Sequence, residues 1–331
     1  MKKKILVTGG AGYIGSHTVV ELFLAGYFPI IIDNLSNTSE ENIKGINKIL
    51  NVSIPFYNIN CTNFSEMKRF FNSNTDIFAC IHFAAFKSVE ESVKLPDKYF
   101  KNNVGSLEVL LSCLEKNKSK NLIFSSSCTV YGKQETFPIS ENACLNKAES
   151  PYGESKQKCE ILITNNLCNS VSLRYFNPIS SHKSALIGDY SKNKSDNLVQ
   201  AVSEVASGIR DKLVINGDDY NTYDGTCVRD YIHVCDLARA HVSALDYLLK
   251  YEGKHIFNVG TGKGLSVFDV INIFEKVNNM KINYVIGPRR KGDIAKIYSD
   301  CKLIKKELKW KPIKTIEESF SFKYNLKESI K

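Results

Sequence analysis

The chain has 331 residues, 43% of them hydrophobic, which is enough to bury a large core in the proportions of an ordinary globular protein. No stretch approaches the roughly 20 apolar residues of a membrane span, and the apolar run in "MKKKILVTGG" is too short for a secretory leader. The net charge of +9 could serve a nucleic-acid binder, but the lysines of "KNKSK", "YSKNKS" and "KLIKKELKWK" are scattered without interleaved aromatics, so a solvated surface that helps draw in a small anion is the better reading.

In chain order, "KKILVTGG" reads as a buried strand ending in a glycine turn, and "YIGSHTVVELFLAG" as a helix closed by Gly26. "FPIIIDNL" is the next strand. "DIFACIHFAA", "NLIFSSS" and "SVSLRYFN" follow as further strands, separated by helical stretches such as "NNVGSLEVLLSCLEK". This alternation predicts an α/β fold with a Rossmann-like, doubly wound parallel sheet. After "RYFNP" the rhythm changes. "ISSHKSALIGDYSKNKSDN" is a polar loop, "LVQAVSEVASGI" a helix and "LVING" a short strand. "DYIHVCDLARAHVSALDYLL" and "HIFNVG" return to the earlier style. The expected division is a nucleotide domain over 1–178 with a returning segment at about 230–260. A smaller, discontinuous substrate-binding domain takes 179–229 and 261–331.

"VTGGAGYIGS" places Gly9, Gly12 and Gly15 at G-x-x-G-x-x-G spacing between a strand and a helix. Small residues there let the backbone approach a pyrophosphate at the helix N-terminus. Asp33 ends the next strand, about 20 residues on, where an acid accepts hydrogen bonds from a ribose and repels a 2′-phosphate. No arginine lies in "DNLSNTSEEN", so the pattern favours NAD over NADP. "SPYGESKQK" holds Tyr152 and Lys156 four positions apart, one above the other on a helix. An ammonium beside a phenol favours the phenolate, a usable general base. The ten cysteines form no C-x-x-C and no zinc spacing, so no metal is expected; Cys80 and Cys113 read as core, and a reducing compartment, the cytoplasm, is inferred.

"TGGAGYIGSHT", "DNLSN", "HFAAFKSVEES", "NNVGS", "FSSSCTVYG", "SPYGESK", "RYFNP" and "DGTCVRDYIHVCDLA" occur in this order, and over nearly its whole length the chain resembles the UDP-glucose 4-epimerase family of extended short-chain dehydrogenases/reductases. The resemblance implies catalytic roles for Tyr152 as general base, Lys156 as its electrostatic partner and Ser127 as hydrogen-bond partner of the reacting sugar hydroxyl. It implies NAD contacts for Tyr13, Ile14, Asp33, Asn34, Asn60, Phe83, Ala84, Lys87, Asn102 and Phe176, beside Gly9, Gly12, Gly15, Tyr152 and Lys156. It implies UDP-sugar contacts for Ser127, Tyr152, Asn177, Asn197, Arg229, Arg290, Asp293 and Ile297. Two arginines suit a diphosphate because their planar forks bind oxygens bidentately, although Arg229 also reads as a structural ion pair and Arg290 as a solvated turn. His17 and His233 read as packing residues. A homodimer with a small-molecule UDP-sugar substrate, bound to neither nucleic acid nor membrane, completes the expectation.

In that family hydride leaves sugar C4 for NAD, the keto sugar turns, and hydride returns to the opposite face. Other UDP-sugar epimerases acting on UDP-glucuronate or UDP-N-acetylglucosamine, UDP-glucuronate decarboxylases, and a non-catalytic Rossmann sensor remain alternatives. Related dehydratases carry Thr-Asp-Glu where this chain has Ser127, Cys128 and Thr129, which disfavours dehydration. Several positions depart from the family: an adenine-contacting Asp appears as Asn60, "GAHxSG" as "SSHKSA", "GEDP" as the "GDYSKN" region, and an aromatic near the uracil as Asn216. Ile297 falls where the family varies between a small residue and tyrosine, and its intermediate bulk predicts weak use of UDP-N-acetylgalactosamine beside UDP-galactose.

Overall fold

The computed structural model describes residues 2–116, 120–192, 197–290 and 292–321, so Lys118 and Lys194 of the basic stretches lie outside the described residues. Strand β1 (Lys4–Thr8) runs into the glycine turn and helix α1 (Tyr13–Leu24). β2 (Phe28–Asp33), α2 (Glu41–Leu50), β3 (Phe56–Asn58), α3 (Phe64–Ser73) and β4 (Ile77–His82) follow. Then come α4 (Val89–Lys94), α5 (Pro96–Tyr99), a π-helical turn (Phe100–Val104), α6 (Gly105–Leu114) and β5 (Asn121–Ser127). α7 (Pro151–Asn165) starts at Ser150, whose hydroxyl accepts from Gly153 N at 3.2 Å, with Pro151 in the first turn where its missing N–H is harmless. β6 (Asn169–Tyr175) and β7 (Asn177–Ile179) follow.

The remainder comprises α8 (Leu198–Ala206), β8 (Leu213–Asn216), β9 (Val228–His233), α9 (Val234–Leu248), β10 (Lys254–Val259), β11 (Gly264–Leu265), α10 (Val267–Asn278), β12 (Tyr284–Gly287), β13 (Lys296–Ile297), α11 (Lys302–Glu307) and α12 (Ile316–Ser319). The main sheet is parallel throughout, in the order β10-β6-β5-β4-β1-β2-β3. Alternate strand residues feed two cores, as a two-faced sheet requires. Ile5, Val7, Ile31, Ile81 and Leu173 pack with Val19 and Leu22 of α1 and Leu237 and Leu245 of α9. Leu6, Ile30, Ile32, Cys80 and Phe124 pack with Phe70 of α3, Leu107 of α6 and Cys159 and Ile163 of α7. Cys113 is buried in the same layer.

The strand order reverses between β1 and β4, which opens a crevice at the carboxyl ends of the strands. β9 sits between β11 and β13 in a small separate sheet and also pairs with β7, while β8 pairs with β12. A third core, including Val202, Ile215, Tyr231, Ile271 and Phe274, joins these elements to α8 and α10. No helix among the described residues is long and apolar enough to cross a membrane.

Candidate active site

The glycine turn forms one end of the crevice. Gly9 has φ +70°, and a Cβ there would lie 2.7 Å from Ala84 N; a Cβ on Gly15 would lie 2.3 Å from Gly9 O. Gly12 begins α1 in extended conformation and gives no side-chain cap, so the first helical turn turns bare backbone amides toward the cleft. Asp33 accepts from Ala11 N at 3.2 Å and Leu35 N at 2.9 Å. Burial outweighs these bonds and lifts its carboxyl above the ordinary range. This cradle fits a dinucleotide: tight backbone and helix amides for a pyrophosphate, an acid for a ribose.

The crevice is lined by Gly9, Gly12, Tyr13, Ile14, Gly15, Asp33, Asn34, Asn60, Phe83, Ala84, Lys87, Asn102, Ser127, Tyr152, Lys156, Phe176 and Asn177, so the fold gathers these candidates into one place. Asn60 Oδ1 accepts from Thr62 N at 3.0 Å and Thr62 Oγ1 at 2.9 Å, so the amide oxygen expected to meet an adenine amino group already holds two bonds. Lys87 pairs with Asp189 at 2.8 Å. Burial pushes the Asp189 carboxyl up, but Lys87 and Ser191 outweigh it and hold the group below its ordinary value.

At the other end lie the redox candidates. Ser127 Oγ accepts from Thr129 N at 3.2 Å and Thr129 Oγ1 at 3.0 Å, leaving its own proton free to favour a charged oxygen on nearby Tyr152. Thr129 thus props Ser127 where a dehydratase would carry an acid. Lys156 Nζ donates to Ser125 O at 2.6 Å and stands 5.9 Å over the Tyr152 ring. The expected lowering of the Tyr152 pKa by Lys156 is not what these side chains produce. Burial pushes the phenol up to about 12 against the lowering effect of Ser127. Burial likewise brings the Lys156 ammonium down to about 8.

Other candidates lie outside the crevice lining. Asn197 caps α8, accepting from Val199 N at 3.0 Å, and donates to Pro178 O at 3.0 Å. Arg290 forms a close pair with Asp293 at 2.9 Å, and Arg229 approaches the same carboxylate at 3.8 Å. Arg229 also lies within electrostatic reach of Cys128, which lines the crevice. Ile297 is the register neighbour of Arg229 and packs in a buried cluster with Cys128, Tyr131 and Phe176. Asn216 is exposed at the end of β8. His233 caps α9 by accepting from Cys235 N, and His17 Nδ1 meets Tyr13 O at 2.8 Å. Burial brings these two imidazoles down to about 4 and about 3, so both are neutral packing residues at pH 7.

Sequence reasoning missed Ser36, Thr38, Ser125, Ser126 and Tyr175 of the lining. It also missed how the 180–192 loop is held. Asn42 of α2 donates to Ala11 O and Gly188 O and accepts from Gly188 N at 2.9 Å. A polar residue on the apolar face of α2, beside Ile43 and Ile46, is the signal that could have found it.

A strand–glycine turn–helix, an acid ending the second strand, and a Ser/Tyr/Lys group across the same crevice define an extended short-chain dehydrogenase/reductase. The GDP-mannose 4,6 dehydratase family matches residues 6–321. A UDP-glucose 4-epimerase of Dictyostelium discoideum is 46% identical over 315 residues, 93% of this chain and 91% of that protein. The UDP-glucose 4-epimerase of Bifidobacterium longum, solved with NAD+ and UDP, superposes with a TM-score of 0.93 at 41% identity, covering 98% of this chain and 97% of that one. The enzyme of Stenotrophomonas maltophila, solved with NAD and formylated UDP-arabinopyranose, also gives 0.93 at 38% identity, covering 98% of both chains. The chain belongs to the UDP-glucose 4-epimerase family.

Proposed function

We propose that the chain is an isomerase that interconverts UDP-glucose and UDP-galactose, with NAD held in the crevice. The observation that carries this reading is that the glycine cradle and the Ser127–Tyr152–Lys156 group line a single cleft. In this reading Gly9, Gly12 and Gly15 make room for the pyrophosphate, Asp33 takes the adenosine ribose, and Lys156, Asn102 and Phe176 lie toward the nicotinamide. When bound, oxidised NAD supplies reversible acceptance of hydride from sugar C4 and a positive charge that favours the phenolate.

The chain's own residues handle the proton. Ser127, its oxygen fixed by Thr129, orients the C4 hydroxyl and Tyr152; Tyr152 takes the hydroxyl proton and returns it; Lys156 supplies fixed positive charge beneath the phenol. Asn177, Asn197, Arg229, Arg290 and Asp293 are assigned to the UDP-sugar, with residues 179–229 and 261–331 forming its domain and 1–178 with about 230–260 the NAD domain. The Arg290–Asp293 contact supports a basic site held ready, since a carboxylate that orients a guanidinium limits the rotamer freedom lost on binding. A cytoplasmic homodimer completes the proposal: ten unpaired cysteines suit a reducing compartment, and exposed Val93 on α4 and Ile161 on the adjacent α7 supply apolar surface for a second copy.

The test is to mix purified protein with UDP-galactose and no added NAD. UDP-glucose should form, and heating the protein should release NAD and not NADP. No product, with no nucleotide released and none bound on addition, would defeat the proposal.

A further inference from the structure

Tyr152, Lys156 and Glu160 follow one another at four-residue steps on α7, so they share one face. The three serines ending β5 answer them. Ser127 lies close enough to Tyr152 to act on its hydroxyl, Ser125 O accepts from Lys156 at 2.6 Å, and Ser126 Oγ donates to Glu160 Oε1 at 2.5 Å. Glu160 is gripped on its other side by Arg174 of β6, whose Nε lies 3.0 Å from Oε1 and whose Nη2 lies 2.7 Å from Oε2. Ser126 and Arg174 are register partners across β5 and β6. The Arg174 guanidinium also lies 4.7 Å over the Tyr131 ring.

Both side chains of the pair are under 10% exposed, and no other ion pair among the described residues is so buried at both ends. Stability alone does not explain such a pair, because apolar residues of similar volume often serve a fold as well or better. A bidentate fork, however, tolerates one orientation only. Joined to both neighbouring strands, it resists both rotation and sliding of α7 over β5.

We infer that Glu160 and Arg174 are positioning residues that hold α7 in the register at which Tyr152 meets Ser127 and Lys156 meets Ser125. The inference rests on the proposed roles of Tyr152 and Lys156. It assigns the buried pair to the reaction and not to the fold: the reacting groups lose alignment when the fork is lost, and a misplacement of about 1 Å can cost about a hundredfold in rate.

The test compares the parent with the paired variant Glu160→Met, Arg174→Met, which removes both charges at similar volume, and with Glu160→Asp, which keeps the charges but shortens the reach to Ser126. The expected result is a fall in kcat of about tenfold or more in both, with KM for UDP-galactose, bound NAD and Tm close to the parent's. A folded paired variant with parental kcat overturns the inference. If the paired variant does not fold, Glu160→Asp decides: a selective loss of kcat supports positioning, and a parental kcat, or a loss matched by lost folded protein, overturns it. A parent that does not epimerise overturns the activity reading and the positioning role together, whereas an active parent with unaffected variants overturns the positioning role alone.

Discussion

Replacing Tyr152 by Phe removes one hydroxyl and leaves the ring, which packs edge-on to Tyr99 at 6.4 Å. Ser127 keeps its two bonds from Thr129, so the substitution frees one hydroxyl proton and no other buried group. The stability change should therefore stay near the net worth of one hydrogen bond, about 1 kcal/mol. The catalytic change should be much larger. Loss of a positioned general base lowers rates by about a hundred- to ten-thousand-fold, or about 3–5 kcal/mol in the barrier. The assay follows UDP-glucose formed from UDP-galactose, with Tm and heat-released nucleotide measured on the same preparation. The Tyr152→Phe variant should retain NAD and its fold while kcat collapses. Turnover within a few-fold of the parent would refute the assignment of the base.

Lys156 leads to a prediction about pH and stability. Its ammonium titrates near 8 when folded and at about its ordinary 10.5 when unfolded, so between those values the unfolded chain binds the extra proton and this group's contribution to stability rises with pH. Denaturant titrations from pH 8 to pH 10 should show the parent gaining stability relative to Lys156→Met; parallel curves would contradict the shift. Ser180 and Ala185, the first and last residues of "SSHKSA", both have left-handed backbone, at φ 70° and 56°. Each should cost about 1 kcal/mol beyond glycine's own entropy, so Ser180→Gly with Ala185→Gly should raise Tm, and a fall would show that the loop has relaxed around them. Ile297 is packed against Cys128 and Phe176, so Ile297→Cys should raise the ratio of kcat/KM for UDP-N-acetylgalactosamine over UDP-galactose. Ile297→Tyr should abolish the acetamido activity, and an unchanged ratio in both variants would remove Ile297 from the pocket.

What could be read from the sequence was what local spacing encodes. The glycine turn, Asp33 and the Tyr152–Lys156 step each lie within one strand–turn–helix unit or one helical face, and their chemistry follows from residue type and distance along the chain. Contacts between distant segments were not legible. Glu160 looks like any acid on α7 until β6 brings Arg174 against it, and Asn42 stands out on the apolar face of α2 without showing that its partner, Gly188, lies 146 positions away. Electrostatics failed for a related reason: spacing sets Lys156 near Tyr152, but only the fold shows that Lys156 donates to Ser125 O and that burial dominates both groups. The positive φ of Ser180 and Ala185 was not legible either, since neither residue type announces a left-handed backbone.

The central claim is that hydride leaves and returns to one carbon without leaving the protein. UDP-galactose deuterated at C4 should be incubated with purified protein in ordinary water, with no nucleotide added, and the product analysed by NMR. The account predicts UDP-glucose that keeps its deuterium at C4. Product with hydrogen at C4, or no conversion by protein that contains bound NAD, would contradict it.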